Sequence, residues 1–193
     1  MQSRSKVAHA QNPTQKAILS AALELVEQDG TGSLSIRAVA KRLDLAPAGL
    51  NRYFPDRKSL EATVAAEGTR RLCAALQRTT KGSVDAEAVR GACRAYLRFA
   101  RRHPALYAMT MRKYPDVPAL LAAREDLRNL FRMLFAPLGD PQSSRTAGLA
   151  VWASLHGMVA QERDGLLDDA EVSADSLSAV WTLVAALLQS PAG

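Results

Sequence analysis

The side chains best placed to do chemistry lie between Ser33 and Leu60, SLSIRAVAKRLDLAPAGLNRYFPDRKSL. What they offer is recognition of a polyanion, not bond making. Arg52 and Asn51 carry the hydrogen-bonding groups that suit guanine and adenine edges respectively, and Ala48 and Gly49 beside them are small enough to let a surface approach. Arg57 and Lys58 fall in the first turn of a helix that Asp56 can cap. The helix dipole favours acids at that place, so cations set there against preference point to a phosphate partner. A solvated helix face has a similar composition, and the surrounding elements must decide between the two.

Ile36, Val39, Ala40 and Leu43 recur at helical offsets after the N-cap candidate Ser35, which predicts a short amphipathic helix. Pro47 suits the first position of a second helix, whose inward pair is Leu50 and Phe54 at i, i+4. Only Asp44 to Ala46 join the two, a turn short enough to force a steep crossing. This is the pattern of a helix-turn-helix. With Leu50 inward, 100° per residue sends Ala48 and Arg52 outward and sets Gly49 and Asn51 at their flanks. An earlier helix is predicted from the Asn12-Pro13 start to Gly30, with Ile18, Ala21, Ala22 and Leu25 on its buried face. It completes a three-helix domain.

The segments AILSAALELVEQDG, SLSIRAVAKRL, APAGLNRYF and PDRKSL together resemble the tetracycline-repressor (TetR) family of bacterial transcriptional regulators. The resemblance implies that residues 46 to 54 form the recognition helix and that Ser35 and Arg37 approach the DNA backbone. It also sets Arg57 where a phosphate-contacting Lys is usual, so that Ser35, Arg37, Tyr53, Arg57 and Lys58 would hold phosphates. Pro47, Ala48, Gly49, Asn51 and Arg52 then form the reading surface. The chain departs from the family at Asp44 for the usual turn Gly, at Ala46 for a Ser or Thr cap, at Asn51 for a Tyr and at Tyr53 for a His. The missing cap removes about 1 kcal/mol. These departures leave the fold expectation in place and loosen the link from family to operator sequence.

The chain has 193 residues, enough for one or two small cores, and at 48% hydrophobic and 23% charged it is globular in composition. Its net charge is +6. Residues 1 to 60 hold nine Lys and Arg against five Asp and Glu, a net of +4 that leaves +2 for the rest. The positive charge is therefore concentrated beside the motif. Cys73 and Cys93 fall inside helical patterns without metal-ligand neighbours and read as buried thiols of a cytoplasmic protein, with a redox-sensing pair as the alternative. Residues 1 to 17 lack the apolar core of a secretory signal, and the run Leu177 to Leu188 is too short to span a bilayer. Residues 1 to 11 read as a frayed terminus or a basic arm reaching DNA.

Every later segment is predicted helical, giving an all-α chain with a helix-turn-helix domain over residues 1–58 and a helical ligand-binding and dimerisation domain over 59–193. A long helix from Asp56 to about Thr80 links the two in the resemblance, and Gly68 inside it marks a bend or a close helix contact. Further helices are predicted at 85–102, 104–112, 118–135, 143–163 and 174–189. Arg90, Arg94, Arg98, Arg101 and Arg102 form one stripe, either solvated or lending a cation to an effector. Tyr96, Phe99, Tyr107, Met111, Phe131, Trp152 and His156 are candidate contacts for a small, largely apolar effector, with core packing as the alternative for each.

Within GLAVWASLHGMVAQERDG, Trp152, His156 and Gly157 resemble a Trp, His-Gly signature of one TetR subgroup. The apolar terminal set Leu177, Val180, Trp181, Val184 and Leu188 needs a partner surface. The family implies a homodimer through the last two helices, which presents two recognition helices to a pseudo-palindromic double-stranded operator. No cofactor or metal site is expected. An enzyme built on His156 and Glu162 is the rival from another class, but no nucleophile elbow, paired metal ligands or phosphate-cradling glycine loop accompanies them. A second rival is a helical dimer that binds a ligand or a protein partner without specific DNA recognition.

Overall fold

A computed structural model describes residues 15–80, 85–114, 117–136, 140–167, 180 and 182. Among them are eight α-helices and no strand: α1 (Gln15–Asp29), α2 (Ile36–Arg42), α3 (Ala48–Asn51), α4 (Arg57–Thr80), α5 (Ala86–Arg102), α6 (Pro104–Thr110), α7 (Pro118–Phe135) and α8 (Pro141–Arg163). A 3-10 turn, Thr31–Ser33, follows α1. The chain is all-α, as the periodicity predicts.

Local chemistry explains most boundaries. Gly30 ends α1 at φ 80°, donating to Val26 at 3.0 Å. Proline opens α6, α7 and α8, where its missing N–H costs no helix bond. Asp85 caps α5 through Ala88 N at 2.8 Å, and Asp140 caps α8 through Gln142 N at 2.8 Å and Ser143 N at 3.2 Å. The hydrogen bonds from Ser143 hold the Asp140 carboxyl below its usual range. The expected start at Asn12-Pro13 and nearly all of the expected helix at 174–189 lie outside the described residues, save Val180 and Thr182, which are helical.

Two packing centres share α4. Ile18, Ala22 and Val26 of α1, Leu34 ahead of α2, Val39 and Ala40 of α2, then Leu50, Phe54 and Leu60 close the first, all buried. In the second, α4 lies along α5, α6 and α7, with Val64, Leu72 and Leu76 buried between them. Gly68 is a close contact, not a bend. A Cβ there would stand 2.8 Å from Thr110 Cγ2 and 2.9 Å from Leu106 Cδ1, so only glycine admits α6 at this depth. Polar contacts tie the head to the body as well: His103 Nδ1 lies 2.9 Å from Glu27 of α1, and Arg112 donates to Thr31 at 3.4 Å.

Candidate nucleic-acid interface

The Ser35 hydroxyl accepts from Ala38 N at 3.1 Å and so starts α2, while its own hydrogen stays available to a phosphate oxygen. Arg37, two residues along, is exposed. The helix closes in a Schellman motif, with Leu45 N donating to Ala40 O at 2.9 Å and Asp44 N to Lys41 O at 3.2 Å. Asp44 takes φ 53°, the left-handed conformation that glycine adopts freely. Asp44→Gly is expected to raise stability by about 0.5–1 kcal/mol, read as a higher denaturant midpoint with an unchanged slope. No gain would mean that Asp44 relieves its own strain.

The chain then enters α3 through Pro47, whose φ of −53° and ψ of −35° are already helical. Gly49 N donates to Ala46 O at 2.9 Å and Leu50 N to Pro47 O at 3.0 Å, with no side-chain cap from Ala46. The α-helix is shorter than the expected 46 to 54, covering Ala48–Asn51 before a turn at Arg52 and Tyr53. Pro47 and Pro55 bracket the segment, and Pro55 disfavours a helical Phe54. Leu50 is 0% and Phe54 2% exposed, so these two anchor the segment. Pro47, Ala48, Gly49, Asn51 and Arg52 all face outward. A Cβ on Gly49 would meet nothing within 4 Å. The fold does not require glycine there, whereas an approaching surface would benefit from it.

The cations of this surface are not equally ready. Arg52 lies over the Tyr53 ring, 4.7 Å from its centroid, and its Nη2 donates to the Tyr53 hydroxyl at 2.9 Å. Arg57 pairs with Glu61 at 2.6 Å, one turn along α4. Lys58 is exposed, and no ion pair to it is found among the described residues. Asp56 accepts from Ser59 N at 2.7 Å, which caps α4 and lowers the Asp56 carboxyl pKa. The Arg57–Glu61 pairing is readable from its i, i+4 spacing yet absent from the sequence expectation. Arg42 also escaped it: bound to Glu24 at 3.0 and 3.1 Å and to Gln28 at 3.0 Å, it clamps α2 to α1.

In the helical domain, Tyr96, Tyr107, Trp152 and His156 come together. The Tyr96 and Tyr107 hydroxyls are 2.8 Å apart, and Tyr107 Oη lies 2.7 Å from His156 Nδ1. Trp152 stacks on His156 with centroids 5.8 Å apart. Burial pushes the Tyr107 hydroxyl up to about 12 and Tyr96 higher still, so both stay protonated. Phe99 packs instead on His103, Phe131 stacks on Phe135, and Met111 is partly buried beyond the end of α6. A cleft of about 330 Å³ opens elsewhere, between Arg70, Cys73 and Gln77 of α4 and Asp126, Asn129, Leu130 and Met133 of α7. Cys93 lines a different cleft, with Val151, Leu155 and Val180, and burial pushes its thiol up to about 11. The two cysteines therefore face different clefts.

Residues 18–62 match the family described as bacterial regulatory proteins, tetR family, and residues 89–187 match the tetracyclin repressor-like C-terminal domain. The chain belongs to the TetR family. The first match runs from α1 into α4, and the second takes in the aromatic cluster together with Gly157. This TetR-family chain is 26% identical over 184 residues to an uncharacterized HTH-type transcriptional regulator of Mycobacterium tuberculosis, covering 94% of its own length and 84% of the relative's. A solved structure of a protein with unknown function from Rhodococcus sp. RHA1 superposes with a TM-score of 0.76 at 23% identity, over 96% of this chain and 100% of that one. A TetR variant from Acinetobacter baumannii AYE, in complex with minocycline, gives 0.68 at 19% identity over 94% and 97%. Among the described residues no helix is long and apolar enough to cross a membrane.

Proposed function

We propose that this chain is a cytoplasmic, homodimeric transcriptional repressor, not an enzyme, which reads a pseudo-palindromic operator with α3 and releases it on binding a small molecule. The observation that carries the reading is the outward surface of α3, small, polar and basic, held rigid from behind by Leu50 and Phe54. Arg52 leaves the Tyr53 ring to take a guanine edge, and Asn51 beside it suits adenine. Ser35, Arg37, Tyr53, Arg57 and Lys58 hold phosphates, which fixes register without carrying sequence information. Ala48 and Gly49 admit the bases.

A second copy completes the site. Along α8, Leu149 is 61% exposed, Ala153 is exposed, and a Cβ on Gly157 would meet nothing within 4 Å. This face supports dimerisation through α8 and the segment after it. Twofold symmetry then sets the two α3 segments roughly one helical turn of DNA apart, about 34–36 Å. The minocycline complex of a fold neighbour supports control by a ligand in the helical domain. An effector that reaches Tyr96, Tyr107, Trp152 or His156 has to exchange their mutual hydrogen bonds for its own.

The Arg57–Glu61 pair makes Glu61 an internal competitor for a phosphate. Glu61→Gln is expected to tighten operator binding about 2- to 5-fold, the worth of one partly exposed ion pair. Adding Arg57→Gln should abolish that gain; a gain that survives it would assign Glu61 another role. The reading as a whole is tested by selecting bound sequences from a random duplex pool at two salt concentrations. A palindromic site is expected. Salt-sensitive binding without sequence preference would favour a helical dimer that binds a ligand or partner and reads no operator.

A further inference from the structure

Tyr114, just past α6, is buried at 9% exposure, and its hydroxyl has no hydrogen-bond partner among the described residues. A buried hydroxyl left unmet is destabilising, so its presence points to a second state of the protein in which it is met. The cations around it cannot do this. Arg112 and Arg124 act on the phenol through their charge, but a guanidinium only donates, and the O–H needs an acceptor. Arg112 donates instead to Thr31 at 3.4 Å, and Arg124 to the Arg112 carbonyl at 2.6 Å. Burial first and the Glu61 charge second push the Tyr114 hydroxyl up, so it keeps its proton.

The acceptor is on α4. Glu61 and Gly68 stand seven residues apart, two turns along one face of that helix, and Gly68 is where Leu106 and Thr110 of α6 approach most closely. Tyr114 follows Thr110 by four residues and comes under the charge of Glu61. The Glu61 side chain is only 15% exposed, and its Oε1 holds Arg57 at 2.6 Å. No other hydrogen bond to that carboxylate is found among the described residues. Arg57, 52% exposed, has room to turn outward.

An Arg57 that turns to a phosphate leaves behind a carboxylate mostly out of water, and a stranded charge of that kind opposes the move. We infer that Tyr114 is a positioning residue for DNA binding, whose hydroxyl takes over Glu61 as Arg57 passes to a backbone phosphate. An ion pair and an unmet donor are exchanged for a phosphate contact and a charge-assisted hydrogen bond. Glu61 is then held back and competes less for Arg57. This rests on the reading of Arg57 as a phosphate contact, and it needs no operator, because phosphate contacts carry no sequence information.

Fluorescence anisotropy with a duplex of random sequence, at one fixed salt concentration, tests the exchange in cycles of Tyr114→Phe with Glu61→Gln and with Arg57→Gln. Tyr114→Phe removes only the hydroxyl and is expected to weaken binding about 3- to 10-fold, within the net worth of one hydrogen bond. Its unfolding midpoint should not fall, since the free protein gives that hydroxyl no partner. In either second background the same substitution should change affinity less than about twofold, because no ion pair is broken on binding and no carboxylate is newly stranded. Unchanged affinity in Tyr114→Phe, a loss that persists in either background, or a lowered midpoint would each overturn the inference. If Arg57→Gln alone leaves affinity unchanged, the phosphate reading of Arg57 fails and takes the inference with it. That result is distinct from a silent Tyr114→Phe in a chain whose binding does depend on Arg57.

Discussion

Arg52→Ala is expected to weaken binding to the selected operator roughly 5- to 150-fold, the range spanned by about 1–3 kcal/mol for a bidentate base contact. Binding to unrelated duplexes should change only a few-fold, because one cation among several is lost. The difference arises from position. Arg52 is exposed next to the anchored Leu50, with no carboxylate attached, and only its Tyr53 contacts have to open. Arg52→Lys separates charge from geometry: it keeps the cation, lacks the planar fork, and should lose most of the sequence preference. Parallel losses on operator and unrelated DNA would reassign Arg52 to the phosphates. Fluorescence anisotropy on both duplexes at one fixed salt concentration reads the result.

Gly68→Val is expected to cost about 1–3 kcal/mol of stability, the usual penalty for forcing volume into a packed helix contact. The added Cβ alone would come within 3.0 Å of Leu106 and Thr110, and the two γ-methyls have still less room. Better helix propensity than glycine returns only part of this. Because His103, at the junction of α5 and α6, holds α1 through its contact with Glu27, displacing α6 from α4 disturbs the seating of the head as well as the core. The unfolding midpoint should fall by several degrees, and the effector should release the operator less completely. An unchanged midpoint would show that α6 can retreat from α4 at no cost, and the tight crossing would then hold nothing in place.

The legible part of this protein is the part written in periodicity and capping. The buried face of α1, the Ser35 cap, the inward pair Leu50 and Phe54, and the proline starts of α6 and α7 all stand where local rules place them, whereas α8 begins at Pro141, two residues before the expected 143, because Asp140 caps it. Gly68 was legible only as an anomaly, since spacing cannot say which neighbour a missing Cβ admits. The helix α3 is shorter than the expected 46 to 54 because a run between two prolines can be one turn or two, and Pro55 and the turn at Arg52 select the shorter. The aromatic set was legible as large and inward-facing. Which members meet depends on helix crossings that no local pattern encodes, so Tyr96, Tyr107, Trp152 and His156 converge while Phe99, Met111 and Phe131 go elsewhere. The cleft residues Asp126 and Asn129 were invisible for the same reason: on a single helix they look like any solvated face.

Contact between Arg52 and a base edge is measured by a double-mutant cycle. Each guanine of the selected half-site is replaced by 7-deazaguanine, which lacks the N7 acceptor, and both duplexes are titrated with the wild-type chain and with Arg52→Ala. One guanine per half-site is expected at which the substitutions are strongly non-additive: the modified base weakens the wild-type chain by up to about 1–3 kcal/mol and leaves Arg52→Ala nearly unaffected. Additive effects at every guanine would contradict it, and α3 would then be held to the DNA by phosphates alone.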